Sequence, residues 1–167
     1  LTLALGLARR SAADLDAVFI CTCTGYLCPG ITSYLSERLE LPSDVHLVDL
    51  VGLGCGAAIP MLRTASGFLA ANPKATVACI AVEICSAAFY LDDDAGVLIS
   101  ACLFGDGAAA TIWSGQENGT GLRVSGFDTV VRPSDRDLLR FEMKNGKLRN
   151  KLHRSVPATA AHAVSTL

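Results

Sequence analysis

One thiol stands where the chain could present a nucleophile. Cys55 lies between Gly54 and Gly56 in the run VGLGCGAAIP, and a segment with helical spacing follows it. Glycine permits backbone conformations and close approaches that other residues do not, and the start of a helix favours a thiolate through its unpaired N–H groups and positive dipole end. The pattern predicts either a nucleophilic cysteine at a loop-to-helix turn or a small packed residue in a glycine-rich loop.

The remaining cysteines do not follow the spacing of a disulfide framework. The chain has 7 cysteines, an odd number, irregularly spaced and mostly beside apolar residues. This usage is typical of reduced, buried thiols in a cytosolic protein, so we expect a cytoplasmic location. Cys21, Cys23 and Cys28 form a C-x-C-x4-C pattern without a fourth ligand, which is a weak zinc signal, and we expect no metal.

Composition narrows the class of protein. With 167 residues, 51% hydrophobic and 18% charged, and a mean hydropathy of +0.41, the sequence predicts a single globular domain with a large core. Asp49 and Asp106 interrupt the apolar runs, which are too short for a transmembrane helix. A net charge of −2 without a basic run excludes a typical nucleic-acid-binding protein.

Short apolar strands alternate with helices, which predicts an α/β fold with a mostly parallel sheet. The predicted strands are residues 17–21, 45–48 and 76–82, and the predicted helices are residues 31–41 and 57–71. The strand 76–82 is apolar throughout, as expected for a strand covered on both faces.

The second half of the chain predicts further strands and a hairpin. Residues 108–113 and 122–131 are strand candidates separated by turn residues 115–121, and we expect them to pair with each other, antiparallel. Residues 138–152 alternate around Asn145-Gly146, which predicts an exposed two-residue hairpin. Ser155 precedes a predicted C-terminal helix.

Four segments, taken in order, resemble the chalcone synthase-like type III polyketide synthases of the thiolase superfamily. They are CTCTGYLCPG (21–30), the glycine-flanked Cys55, AVEICSAAF (81–89) and LFGDGAAA (103–110). The resemblance implies a thiolase-like half: a mixed, mostly parallel sheet covered by helices, with an added β-hairpin. A full family member is much longer, so residues 1–167 are expected to form one domain within the N-terminal half, without the C-terminal half.

The resemblance implies a condensing acyltransferase. In that family the cysteine takes an acyl group from acyl-CoA and a decarboxylated malonyl-CoA unit then attacks it, with no cofactor. A thiolate suits this chemistry because thioesters exchange readily between thiols and stay electrophilic. The resemblance assigns the nucleophile to Cys55. The family also uses a histidine and an asparagine from its C-terminal half, and His46, His153 and His162 fall outside that motif, so the chain alone is expected to be inactive.

Further residues follow from the same resemblance. It places Cys23, Thr24, Cys85 and Phe104 in the substrate pocket, with Phe104 as an aromatic gatekeeper. Cys28 matches the position, usually methionine, that reaches across a homodimer interface, and a dimer would help to account for the apolar composition.

The sequence departs from the plant members of the family. Cys23 and Cys85 replace threonines, Ala88 replaces another threonine, and a second gatekeeper phenylalanine aligns with Asn150. An apolar, thiol-lined pocket fits bacterial members that extend fatty acyl or small acyl starters to pyrones or resorcinols.

Two other interpretations stay open at this point. An initiating ketoacyl-carrier-protein synthase shares the fold, the cysteine and a GDGA-like turn, although CTGYLCPG and residues 155–157 favour the polyketide synthase. An interpretation of another class is a non-catalytic half-domain that folds and dimerises.

Overall fold

The computed structural model describes residues 1–116 and 121–167, so the predicted turn 115–121 lies partly outside the described residues. The chain divides into two compact units. We call residues 1–83 and 107–124 the sheet unit, and residues 84–106 and 125–167 the hairpin unit. The single domain expected from the sequence stays a prediction.

The sheet unit is built on a four-stranded sheet in the order β2-β1-β3-β4. Its strands are β1 (Ala17–Thr22), β2 (His46–Val51), β3 (Thr76–Glu83) and β4 (Gly107–Ser114). Strands β2, β1 and β3 are parallel, and β4 runs antiparallel to β3. This mixed, mostly parallel sheet confirms the predicted α/β class.

Helices cover both faces of the central strand, and every residue of β1 is buried. Side chains alternate between the two faces of a strand: Phe19 packs in a cluster with α3 (Ala58–Ala71), whereas Val18 and Ile20 pack in a second cluster. That second cluster includes residues of α1 (Thr2–Leu7) and of α2 (Ile31–Leu39). Because both faces of β1 are covered by apolar residues, its sequence is a continuous hydrophobic run.

A polar side chain in β2 fixes the start of α2. Asp49 accepts hydrogen bonds from the backbone N–H of Thr32, at 3.2 Å, and from the Thr32 hydroxyl. A Cβ atom at Gly30 would overlap the Asp49 carboxylate, so a larger residue at position 30 would displace that side chain from the start of the helix. Asp49 therefore caps the helix and is not a break in the strand.

The hairpin unit contains three α-helices, a 3-10 helix (Pro133–Leu138) and a two-stranded antiparallel hairpin. Its elements are α4 (Cys85–Ala88), α5 (Ala95–Leu103), β5 (Leu139–Lys144), β6 (Lys147–Leu152) and α6 (Val156–Val164). Asn145 and Gly146 have φ of 52° and 74°, the pair of positive values expected of the predicted tight turn. The predicted hairpin and C-terminal helix are confirmed.

The hairpin has two faces of opposite character. The register pairs Phe141 with Asn150 and Glu142 with Arg149. The charged face consists of Arg140, Glu142, Lys144, Lys147, Arg149 and Lys151, and the other face of Leu139, Phe141, Met143, Leu148, Asn150 and Leu152. The expectation of an exposed hairpin holds at Leu139 and Met143, which are 40% and 67% exposed, but it is wrong where α5 packs against β6 and leaves Asn150 only 3% exposed.

One predicted strand is absent. Residues 122–131 form no strand, and β4 pairs instead with β3, from Thr76 opposite Ser114 to Glu83 opposite Gly107. The residues in question have strand-forming composition, but Leu122 and Val131 are exposed. Strand β4 pairs along its length with β3, which is separated from it in the sequence by two helices. Local composition therefore did not identify the partner of β4. Among the described residues, no helix is long and apolar enough to cross a membrane.

Candidate functional site

The carboxyl ends of three neighbouring parallel strands bring candidate residues to one edge of the sheet. Cys23 directly follows β1, Glu83 ends β3, and Cys55 comes four residues after the end of β2. Strand β1 lies between β2 and β3, so these three residues belong to adjacent strand ends. Ligand and catalytic groups of open α/β sheets concentrate at this edge.

Cys55 is exposed in a glycine turn. Gly52 and Gly54 have φ of 75° and 73°, a left-handed conformation that strains other residues. The N–H of Ala57 donates to the carbonyl of Gly54 at 3.0 Å, and α3 begins at Ala58, three residues after the thiol. The predicted turn before a helix is confirmed, and Cys55 is not a packed residue.

Cys23 is held differently from Cys55. Its N–H donates to both carboxylate oxygens of Glu83, at 2.8 Å and 3.1 Å. Burial raises the pKa of the Cys23 thiol, the negative charge of Glu83 raises it further, and the backbone N–H groups of Gly54 and Gly52 act in the opposite direction. Cys23 therefore carries a proton at neutral pH and lies against the loop that contains Cys55.

Two other thiols belong to the core of the sheet unit. Burial raises the pKa of Cys79 to about 12, and burial followed by the charge of Glu83 raises the pKa of Cys21. All seven cysteines are free of disulfide bonds, but Cys28, Cys55 and Cys102 are exposed, so the expectation of buried thiols is wrong for these three.

The structure also bears on the weak zinc pattern. Across residues 1–116 and 121–167, no group of three or more His, Cys, Asp or Glu side chains is arranged to hold a metal ion.

The loop between β1 and α2 carries Thr24 and Cys28. Thr24 is half-buried, and its N–H donates to the hydroxyl of Thr22 at 3.3 Å. Cys28 is exposed together with Tyr26 and Leu27, which are 77% and 52% exposed. The structure therefore places Cys28 on an apolar surface segment.

Cys85 and Phe104 both lie in the hairpin unit. Cys85 is the buried first residue of α4. Phe104 directly follows α5, is half-buried, and its ring centroid lies 5.5 Å from that of Phe89 and 6.5 Å from that of Phe141. Their part in a common substrate pocket stays a prediction.

The Gly-Asp-Gly turn has a specific structural role. Asp106 accepts hydrogen bonds from the N–H of Ser86, at 2.8 Å, and from its hydroxyl, at 2.6 Å. These two bonds lower the pKa of Asp106. The carboxylate therefore fastens the start of α4, next to Cys85.

Sequence reasoning did not single out Glu83 or Asp106 as site residues. Glu83 is the one charged residue at the end of the strand TVACIAVE, and Asp106 stands between glycines before a strand of small residues. A carboxylate at the end of an otherwise apolar strand was the signal that could have identified Glu83, because such a group needs hydrogen-bond donors nearby.

Comparison with known proteins defines the family. The family model for "FAE1/Type III polyketide synthase-like protein" matches residues 7–136. The chain therefore belongs to the FAE1/type III polyketide synthase-like proteins, and the thiolase-like fold and the resemblance read from the four segments are confirmed.

The relatives are longer than this chain. The 1,3,6,8-tetrahydroxynaphthalene synthase of Streptomyces coelicolor is 31% identical over 157 residues, which are 93% of this chain and 42% of the relative. Its crystal structure matches with a TM-score of 0.88, covering 95% of this chain and 45% of that one. Germicidin synthase from Streptomyces coelicolor, 27% identical, matches with a TM-score of 0.89 over 99% of this chain and 44% of that one.

A more distant structure matches in fold alone. CsyB complexed with CoA-SH is 21% identical and has a TM-score of 0.73, covering 99% of this chain and 50% of that one. The chain thus spans about half the length, or less, of the proteins it matches.

Proposed function

We propose that Cys55 is the acyl-accepting nucleophile of a type III polyketide synthase-like condensing enzyme. The thiolate attacks the carbonyl carbon of an acyl-CoA, the C–S bond to CoA breaks, and CoA leaves as a thiolate that takes a proton from water. The carbanion formed when malonyl-CoA loses carbon dioxide then attacks the acyl carbon, the C–S bond to Cys55 breaks, and the Cys55 thiolate is restored. Acyl loading is proposed for this chain, and the condensation for the whole protein.

The observation that carries this proposal is the contrast between Cys55 and Cys23. Cys55 is exposed in a left-handed glycine turn before α3, whereas Cys23 is half-buried beside the Glu83 carboxylate and keeps its proton. A nucleophile needs access to its substrate and a thiolate form. Of the two neighbouring thiols, only Cys55 combines access with a position in front of a helix.

Acyl-CoA and malonyl-CoA are the proposed substrates. The family assignment supports them, and CsyB, a protein of similar fold, was solved with CoA-SH. We assign Cys23, Thr24, Cys85 and Phe104 to the proposed acyl pocket. The thiols at Cys23 and Cys85 favour small or fatty acyl starters, in a protein that we place in the cytoplasm.

A homodimer through Cys28 is part of the same proposal. The thiol is exposed beside Tyr26 and Leu27, both apolar and exposed, as expected of a surface that a partner covers. A short bismaleimide crosslinker should produce a covalent dimer of the wild-type chain but not of Cys28→Ser. Equal crosslinking in Cys28→Ser, through Cys102 for example, would contradict the proposed interface.

The nucleophile is tested by acyl loading. The purified chain is incubated with acetyl-CoA or hexanoyl-CoA, and intact mass and peptide mapping locate the acyl group. We expect one acyl group on Cys55 in the wild type, loss of loading in Cys55→Ser, and unchanged loading in Cys102→Ser, which removes a matched exposed thiol. Loading that persists in Cys55→Ser would refute the assignment.

Addition of malonyl-CoA separates the enzyme from a non-catalytic half-domain. We expect the whole protein to release CoA continuously, whereas this chain, for which only acyl loading is proposed, releases at most a single equivalent. A carrier-protein-dependent synthase would instead load from acyl-carrier protein in preference to acyl-CoA, which would favour the initiating ketoacyl synthase.

A further inference from the structure

Helix α5 lies along strand β6 through one row of residues. Gly96 and Ser100 are four positions apart and so share one helix face. A Cβ atom at Gly96 would come within 3.1 Å of the Leu152 carbonyl oxygen, and Ser100 contacts Asn150, two positions earlier on the strand. Phe104, four residues after Ser100, directly follows the helix.

The Asn150 side chain forms a hydrogen bond with Ser100, and the Ser100 hydroxyl has a second partner. Its Nδ2 donates to Ser100 Oγ at 2.8 Å, and the Ser100 hydroxyl in turn donates to the carbonyl of Gly96 at 2.6 Å. Because the hydroxyl proton is used on Gly96, the Ser100 oxygen is left to accept from Asn150. The two bonds allow only one position of Ser100 against the strand.

The other end of the Asn150 amide is unpaired. Its Oδ1 is buried and has no hydrogen-bond partner among the described residues, and the residue is 3% exposed. A buried unpaired acceptor destabilises the folded state, so a leucine at this position would pack at no loss. Buried polar residues that reduce stability are best known for fixing the register between packed elements.

The contacts of Phe104 depend on the position of α5 along the hairpin. Its N–H donates to the carbonyl of Ser100 at 2.9 Å, and its ring packs against Phe141, the cross-strand partner of Asn150. Phe89 completes the ring cluster, 5.5 Å from Phe104 and 5.4 Å from Phe141. A shift of α5 along the hairpin would therefore carry Phe104 away from these rings.

We infer that Asn150 is a positioning residue that fixes the register of α5 on the hairpin and thereby the place of the Phe104 ring. Because Phe104 belongs to the proposed acyl pocket, Asn150 also determines which acyl chains are accepted. This second statement rests on the proposed function, whereas the first rests on the contacts within the hairpin unit alone.

A fluorine label at Phe104 tests the register directly. 4-Fluorophenylalanine is incorporated at position 104 of the full chain, and the ¹⁹F spectrum is recorded for the wild type, Asn150→Leu and Ser100→Ala. We expect one sharp signal in the wild type and a displaced or split signal in both variants. Asn72→Leu is the matched control, because this exposed asparagine of the sheet unit also donates through Nδ2, to the Phe68 carbonyl.

The unfolding temperature distinguishes a positioning role of Asn150 from a role in packing alone. We expect Asn150→Leu to unfold at the same temperature as the wild type, or a higher one, although its ¹⁹F signal changes. An unchanged signal in both Asn150→Leu and Ser100→Ala overturns the inference, and Ser100→Ala decides alone if the leucine variant does not fold.

Acyl selectivity tests the second statement. Loading of Cys55 from acetyl-CoA and decanoyl-CoA is compared in the wild type and Asn150→Leu, and we expect the ratio of the two rates to change several-fold. A changed ¹⁹F signal with an unchanged ratio overturns the role in selectivity. If the wild type accepts no acyl group, the proposed function fails together with that role, while the fluorine signal still decides the register.

Discussion

The two units of this chain are stabilised in different ways. In the sheet unit, β1 is buried at every position and apolar clusters cover both of its faces. In the hairpin unit, a cluster of three phenylalanine rings and individual polar pairs, such as Asn150 with Ser100 and Ser86 with Asp106, join the segments. An apolar core is insensitive to the loss of one polar contact, whereas an element fastened by one pair can move when that pair is removed.

Polar pairs also join segments at the charged face of the hairpin. Arg149, whose side chain is 12% exposed, donates to Asp92 at 2.8 Å and to Glu142 at 3.3 Å. The hydrogen bond from Arg149 is the largest influence that lowers the pKa of Asp92. The loop between α4 and α5 is therefore fastened to the hairpin by a charge-assisted bond.

The largest expected effect is truncation of the sheet core. Phe19 is 1% exposed, and its ring packs against Phe68 at 6.0 Å. We expect Phe19→Ala to lower the free energy of unfolding by about 3–5 kcal/mol, from lost burial and the cavity left behind. Denaturant unfolding followed by circular dichroism measures it. Phe104→Ala, at a half-buried ring, should lower it much less, and equal losses would remove the contrast between the units.

Alkaline pH should destabilise the sheet unit through its buried thiols. The pKa of Cys79 is raised to about 12, so this thiol stays protonated in the folded chain while it ionises in the unfolded chain above about pH 8.5. The unfolded state then binds fewer protons, and the free energy of unfolding falls by about 1.4 kcal/mol per pH unit for this group. The stabilising contribution is complete below pH 8.5 and lost as the pH approaches 12.

Cys79→Ala is the variant that isolates this slope. It is less stable at all pH values because of its cavity, but its free energy of unfolding should decline less steeply between about pH 9 and about pH 11. Identical slopes for the two chains would show that Cys79 does not carry the alkaline effect.

The strands and turns that depend on local sequence pattern could be predicted from the sequence. The strands at 17–21 and 76–82 and the turn at Asn145-Gly146 each depend on residues a few positions apart, and all were found, with each strand one residue longer than predicted. The glycine turn at Cys55 belongs to the same class, because left-handed glycines act on their own segment. The four segments added the family, which the family model confirms.

Contacts between distant residues were beyond the sequence. Cys23 and Glu83 are 60 positions apart, and Ser100 and Asn150 are 50 positions apart. Strand propensity predicted that residues 122–131 pair with β4, whereas β4 pairs with β3. Such pairs depend on which elements become neighbours, and propensity describes only how well a segment suits a pleated surface.

A smaller effect is expected at the charged face of the hairpin. Asp92→Asn weakens the bond to Arg149 and should loosen the loop that follows α4. The N–H of Tyr90, which donates to the Leu148 carbonyl at 2.9 Å, reports the change. We expect several-fold faster hydrogen exchange at Tyr90 in the variant. Unchanged exchange in Asp92→Asn would mean that the apolar face alone holds the loop.

The smallest effect concerns the start of α4. Because its pKa is lowered by the bonds from Ser86, Asp106 contributes stability above the ordinary carboxyl range near pH 3.9 and loses it as the pH falls through its own, lower pKa. Protection of the Ser86 N–H from hydrogen exchange should therefore persist below about pH 3.9 and disappear only in stronger acid. Ser86→Ala, which keeps the backbone N–H but removes the hydroxyl donor, should move this loss to higher pH, and Asp106→Asn should abolish the pH dependence. Protection that does not respond to either variant would show that α4 is ordered by burial of Cys85 and not by the aspartate, and the hairpin unit would then resemble the sheet unit more closely than its polar contacts indicate.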